Sequence, residues 1–150
     1  MKYARTIIIA FALALAACET IPVSGTATPS GPTAIPSSPL DLGSWRSANE
    51  AATLSAFQEN VTSRYGEGLA IAAVSQDLRR QEFNCGAAPP QDRGRGDPPA
   101  QVCRKTVTNS GCTHTWQVHV FDEGGNGQLA RTRGLYDRRC GGDGLLGGPS

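Results

Sequence analysis

Two stretches before residue 84 carry apolar residues at the spacing of one helix face. Ser47 and Glu50 have capping-box spacing and mark the start of the first predicted helix. Its apolar stripe consists of Ala51, Leu54, Phe57, Val61 and Tyr65. Gly66 and Gly68 interrupt the pattern, and a second helix is predicted over residues 69–83. The stripe of that helix consists of Ile71, Val74 and Leu78.

Beyond residue 100 the apolar positions alternate, which is the pattern of half-buried strands. Residues 102–108 read as a first strand, and residues 109–111 as its turn. The next strand is marked by alternating residues, which are Cys112, His114, Trp116, Val118 and Val120. A glycine-rich turn at 124–127 precedes a returning strand over 128–139. The pattern predicts an α+β fold, with two short N-terminal helices packed on a three-stranded antiparallel β-meander.

The N-terminus has the three parts of an export signal. Lys2 and Arg5 supply positive charge, and residues 7–17 form an unbroken apolar run. A transmembrane helix needs about 20 apolar residues, so this run is too short to span a membrane. Leu15-Ala16-Ala17-Cys18 resembles the lipobox of bacterial lipoproteins. The resemblance implies cleavage after Ala17 and attachment of diacylglycerol, with palmitate-type chains, to the thiol of Cys18.

The lipobox resemblance also implies where the mature protein resides. One acyl chain binds a membrane only marginally, whereas two or three make the attachment durable. Glu19, rather than Asp, follows Cys18. By the sorting rule of enteric lipoproteins, this favours the outer membrane, facing the periplasm, as the place of the anchored protein.

Composition divides the chain into four parts. Residues 1–17 are the predicted signal peptide, and residues 18–44 are a Pro/Ser/Thr-rich tether with no core-forming pattern. Residues 45–140 are the α+β domain, in which a loop rich in Gly and Pro is predicted at 86–100. Residues 141–150 are predicted to be a disordered tail.

Lipidation of the first cysteine leaves four in an oxidising compartment, which predicts two disulfides. Four cysteines allow three pairings, and hairpin geometry ranks them. Cys112 and Cys140 are equidistant from Asn126, so they face each other in a hairpin without a bulge. Cys85 is then left to pair with Cys103. No two cysteines have C-x₂₋₄-C spacing, so we expect no metal site.

Charge and histidine placement narrow the functional classes. The net charge of the whole chain is +1, and removal of Lys2 and Arg5 from 14 basic residues leaves 12 against 13 acidic ones. A near-neutral mature chain has no basic field for nucleic acid. The positions of His114 and His119 differ by an odd number, so the two side chains point to opposite faces of one strand. With the thiols in disulfides, we expect no catalytic residues, no cofactor and no enzymatic activity.

The same hairpin numbering places Trp116 opposite Tyr136, on the face shared with His114. We interpret this aromatic pair as core packing, which stabilises a hairpin by roughly 0.5–1 kcal/mol. A platform for stacking a ligand is the alternative.

The opposite hairpin face carries a basic strip. Counting outward from the turn pairs His119 with Arg133 and Phe121 with Arg131, while Arg139 lies near Thr113. One interpretation is a solvated sheet face whose arginines discourage association. The other is a contact surface for an acidic protein, a phosphate-bearing headgroup or an acidic glycan, because arginine suits bidentate contacts. The candidate partner-binding residues are His119, Phe121, Arg131 and Arg133.

The whole arrangement is similar to one known family. A lipobox, a proline-rich tether, two short helices separated by glycine and a three-stranded sheet resemble the outer-membrane lipoproteins of the BamE (SmpA/OmlA) type. Residues 68–74, GLAIAAV, are similar to the start of that family's second helix. The resemblance implies a domain like the repeats of the β-lactamase inhibitor protein and a role in outer-membrane assembly or integrity.

These patterns predict an envelope lipoprotein that binds a protein or an envelope polymer and has a scaffold role. The alternative is a periplasmic inhibitor module, similar to inhibitors of lysozyme or β-lactamase. Such a module inserts an acidic or aromatic segment into a cleft, and the candidate segment here is the loop from Asp92 to Asp97.

Overall fold

Six elements make up the part of the chain that the computed structural model describes, residues 34–89 and 97–141. The order along the chain is α1 (Glu50–Arg64), α2 (Ile71–Arg80), β1 (Asn84–Ala87), β2 (Gln101–Asn109), β3 (Cys112–Phe121) and β4 (Arg131–Cys140). The predicted signal peptide, Cys18, the first part of the tether and the tail after Gly141 lie outside the described residues. Within the described ranges, neither helix is long and apolar enough to cross a membrane.

Both predicted helices are present, but their ends differ from the sequence prediction. Asn49, not Ser47, caps α1, and its side-chain oxygen accepts a hydrogen bond of 2.8 Å from the amide of Ala52. Asparagine is as good an N-cap as serine, so either Ser47 or Asn49 could have capped the helix. The helix α2 ends at Arg80 because Glu82 adopts a left-handed conformation, with φ of 67°. This turn places Phe83 in the core, where it is 3% exposed.

The sheet contains four antiparallel strands in the order β1-β2-β3-β4, rather than the three that were predicted. The additional strand β1 pairs with β2 at one edge and includes Gly86 and Ala87, which the sequence assigned to a loop. Four residues with one glycine and no alternation carry too weak a signal to predict a strand. The α+β class is confirmed, and the three-stranded meander corresponds to β2, β3 and β4.

The register of the β3–β4 hairpin agrees with the count from Asn126. Trp116 lies opposite Tyr136, and His119 lies opposite Arg133. Both predicted disulfides are present, Cys85–Cys103 and Cys112–Cys140. Each joins residues that are direct partners in neighbouring strands, so the cysteines fix β1 on β2 and close the far end of the hairpin.

The two helices pack on the same face of the sheet. Along α1, Phe57 and Val61 are fully buried, and the helix crosses β4 at Gly134. A Cβ at Gly134 would lie only 3.0 Å from the Cα of Gln58, so a strand residue without a side chain lets the helix approach. Leu129, in the loop before β4, is 1% exposed and completes the core.

The second half of the predicted tether packs on this domain. We call residues 35–42 the strap. Leu40 is 6% exposed within the core, and the indole Nε1 of Trp116 donates a hydrogen bond of 3.0 Å to the carbonyl of Leu42. Part of the segment predicted as tether therefore contributes to the packed domain. Composition indicated a tether, but isolated apolar residues within it provide enough burial to hold the strap.

The strap and both helices meet at the carboxylate of Asp77, whose side chain is 5% exposed. It accepts hydrogen bonds from the Nε of Arg64 at 2.9 Å and from the hydroxyl of Tyr65 at 2.8 Å. Arg80 and Gln81 donate to the same carboxylate, each at 2.9 Å. Burial opposes ionisation of Asp77, but the hydrogen bonds from its neighbours outweigh it, so the pKa lies below its usual value.

Two members of this cluster extend it to the strap. Arg64 donates a second hydrogen bond, 2.8 Å long, to the carbonyl of Pro36. The side-chain oxygen of Gln81 accepts from the amide of Leu40. One buried carboxylate therefore links the end of α1, the end of α2 and the strap.

We expect the substitution Asp77→Asn to destabilise the protein by about 3–5 kcal/mol, because it leaves the guanidinium of Arg64 buried without a counter-charge. Asp137→Asn is the matched control, since its partner Arg139 is 84% exposed. Loss of such a surface pair costs about 0–1 kcal/mol. Urea denaturation of the two variants measures the difference, and equal destabilisation would contradict the role assigned to Asp77.

Candidate functional site

The side of the sheet opposite the helices is available to a partner, and we call it the open face. Its side chains alternate with the core residues along β2, β3 and β4. The open face consists of Val102, Arg104, Thr106, Thr108, Thr113, Thr115, Gln117, His119, Phe121, Arg131, Arg133, Leu135, Asp137 and Arg139. Across the described part of the chain, α1 packs against β4 and α2 against β1 from the other side, so no helix covers these residues.

The four residues predicted for partner binding all lie on the open face, but they differ in availability. Phe121 is only 6% exposed, and the guanidinium carbon of Arg131 lies 3.6 Å from the centre of its ring. Arg131 also donates to the carboxylate of Glu123 at 2.7 Å. Phe121 and Arg131 are therefore already engaged in contacts within the protein. His119, in contrast, is half-buried, and Arg133 is exposed.

Arg104 joins this group, although the sequence prediction missed it. Ser110 and Gly111 have φ of 51° and 76°, which forms a tight turn with Asn109 opposite Cys112. Counting back from this turn places Arg104 opposite Gln117, one row from His119. Counting residues outward from the turn gave the register of the β3–β4 hairpin. The same counting, applied to the β2–β3 hairpin, predicts the position of Arg104 as well.

No carboxylate among the described residues is ion-paired with the arginines around His119. Burial lowers the pKa of His119, and the positive charges of Arg133 and Arg104 lower it further. The ion pairs on the open face use other arginines, Arg131 with Glu123 and Arg139 with Asp137. Among the described residues, Arg104 and Arg133 form no ion pair, so this end of the face offers two guanidinium groups to an external anion.

A shallow hollow of about 290 Å³ continues from Arg104 along β3. It is lined by Arg104, Thr113, Thr115, Gln117, Asp137 and Arg139. All these side chains carry hydrogen-bonding groups, and threonine and glutamine can both donate and accept. The described ranges contain no group of His, Cys, Asp or Glu suited to holding a metal ion.

The other face of β3 has a structural role. His114 is 5% exposed, and its Nδ1 lies 2.7 Å from the hydroxyl of Tyr136. Trp116 is fully buried, with its ring 5.2 Å from that of Tyr136, and Trp45 closes the cluster from outside. The Trp116–Tyr136 pair is therefore core packing, as predicted, and not a stacking platform for a ligand.

The loop from Asp92 to Asp97, which carried the inhibitor alternative, has only its last residue among the described residues. Comparison of the chain with known protein families, curated proteins and solved structures finds no match. Fold and charge distribution therefore carry the functional proposal.

We expect the stability of the folded state to fall as the pH drops from about 7 to 5. The two histidines of the chain have folded-state pKa values below the ordinary 6.5, His114 because of burial and then the charge of Arg138, and His119 as described above. In this range the unfolded chain takes up protons that the folded chain does not, so acid favours unfolding.

Urea denaturation at several pH values measures this effect. The pH dependence between 7 and 5 should be smaller for His114→Gln and for His119→Gln than for the wild type, and smallest for the double variant. An undiminished pH dependence in the double variant would show that other groups cause it.

Proposed function

We propose that this protein is a lipid-anchored lipoprotein of the bacterial envelope, facing the periplasm, that binds an anionic partner without catalysing a reaction. The observation that carries the proposal is the open face, where Arg104 and Arg133 lie beside His119 and neither forms an ion pair with a carboxylate among the described residues. Isolated surface arginines are common, but two unpaired guanidinium groups on one rigid sheet are pre-organised for an anion.

The placement of the strap supports an outward-facing role. Its residues contact Arg64 and Trp116, so the described chain begins on the helix side of the sheet. The predicted anchor, Cys18, precedes this point, and the open face lies on the opposite side. A domain held in this way presents its basic surface away from the point where the chain enters.

We keep the BamE-type resemblance as part of the proposal. The order of two helices followed by an antiparallel sheet agrees with it, and β1 is an addition to the predicted meander. A scaffold role in outer-membrane assembly or integrity follows from this resemblance. The two disulfides suit an oxidising compartment, which supports a location outside the cytoplasm.

The anchor is tested by labelling with radioactive palmitate in a bacterial host. The wild type should incorporate label and sediment with membranes, and Cys18→Ser should lose both properties because it removes the thiol that receives the lipid. Thr20→Ala, two residues further along, should behave like the wild type. Label retained by the Cys18 variant, or absent from the wild type, would refute the anchor.

The open face is tested by retention of the full chain, in detergent, on immobilised poly-glutamate and on immobilised hyaluronan. We expect retention on at least one polyanion at low salt, released as salt screens the contacts. Arg104→Glu combined with Arg133→Glu should weaken binding by at least roughly tenfold. The control combines Arg46→Glu with Arg79→Glu, an equal change of charge on exposed residues outside the open face.

Two outcomes would contradict an anion-binding face. One is the absence of retention on both polyanions. The other is equal loss in the two double variants, since this would mean that overall charge rather than the open face controls binding.

A further inference from the structure

We propose that the occupant of the open face is a linear anionic glycan, with carboxylate or phosphate groups separated by neutral sugars, lying along β3. This inference rests on the proposed function and specifies its ligand. The site extends over the seven residues from Thr113 to His119, and the six steps between their Cα atoms cover roughly 20 Å of antiparallel strand. That length suits a chain of several sugars rather than a single small anion.

The arrangement of charge along this line is discontinuous. Arg104 and Arg133 supply positive charge beside His119, whereas the charge of Arg139, at the Thr113 end, is paired with a carboxylate. Between these ends lies Asp137, paired with Arg139 at 3.0 Å. This carboxylate would repel a ligand that has a negative charge at every position. A ligand with spaced charges can place a neutral unit beside it.

The floor between the charged ends is made of neutral hydrogen-bonding groups. Thr113, Thr115 and Gln117 line the hollow, and the Oγ1 of Thr115 lies 3.5 Å from that of Thr106. Hydroxyl and amide groups pair readily with sugar hydroxyls, which both donate and accept. Asp137 adds an acceptor at the rim. The guanidinium groups of Arg104 and Arg133 can then bind ionised substituents in a bidentate manner.

An acidic protein fits this surface less well. Protein interfaces depend on a few aromatic or apolar anchors buried at their centre. The aromatic residue of the open face, Phe121, is 6% exposed and already covered by Arg131, and Leu135 is half-buried. The hollow itself is lined by polar residues throughout. A glycan needs no such anchor.

The anchoring membrane also fits less well. The described chain enters the domain through the strap, which packs on the helix side against Arg64 and Trp116. The open face is on the other side of the sheet. To bind a lipid headgroup of the anchoring membrane, the domain would have to use the open face, which points away from this entry point.

Binding of hyaluronan oligosaccharides to the full chain in detergent tests the inference, because hyaluronan alternates acidic and neutral sugars. Chitin oligosaccharides serve as the neutral probe, poly-glutamate as the acidic polypeptide, and phosphatidylglycerol vesicles as the lipid surface. Calorimetry with each probe should show hyaluronan bound at least about tenfold more tightly than any other.

Two variants separate charge from hydroxyl recognition. Arg104→Gln with Arg133→Gln should weaken hyaluronan binding about tenfold or more, whereas Arg46→Gln should not. Thr113→Val with Thr115→Val keeps the shape and charge of the face, and should weaken hyaluronan binding about tenfold while leaving poly-glutamate binding unchanged. Thr62→Val, an exposed threonine on α1, is the matched control.

The outcomes distinguish this inference from the proposed function. Preference for poly-glutamate or for vesicles, lost with the arginine variant, would overturn the glycan and keep an anion-binding face. Hyaluronan binding unaffected by the threonine variant would also overturn it, since charge alone would account for capture. Binding of none of the acidic probes would overturn both proposals.

Discussion

The carboxylate of Asp77 is the interaction on which the helix side of the molecule depends. It is nearly inaccessible to solvent, and it accepts hydrogen bonds from the ends of both helices. Because an ionised group in such a position is costly unless it is paired, its neighbours are held in one arrangement. Through Arg64 and Gln81 the same arrangement fixes the strap against the domain. A small core is thus supplemented by a buried ionic cluster as well as by two disulfides.

Among the described residues, this one-sided architecture places no helix over the open face. The helices and the strap bury one side of the sheet, so the alternation of each strand divides core residues from solvent-facing ones. Phe121 shows that the open face is not wholly polar, but this residue is only 6% exposed and the guanidinium of Arg131 lies over its ring. What remains is a line of threonine, glutamine, histidine and arginine side chains held on rigid strands. Their geometry does not depend on the mobility of a loop.

Much of this could be predicted because the signals are local or symmetric. The alternation of apolar and polar residues defined β2 and β3. The turn centred on Asn126 fixed the register of β3 on β4, and this register gave the pair Cys112–Cys140. The remaining pair, Cys85–Cys103, followed by elimination. The candidate face was predicted through His119 and Arg133, while Arg104 was missed because the first hairpin was not counted from its turn.

The sequence by itself determined the α+β class, the disulfides, the two faces of β3 and the positions of the basic residues, since each follows from spacing along the chain. Only the tertiary structure decided that β1 joins the sheet and that residues 35–42 pack as a strap. It also decided that Asp77 accepts hydrogen bonds from the ends of both helices. It also decided that Arg131 pairs with Glu123 while Arg133 does not. These features arise between segments distant in sequence, where burial and charge pairing outweigh the local composition that marked the strap as a tether and β1 as a loop.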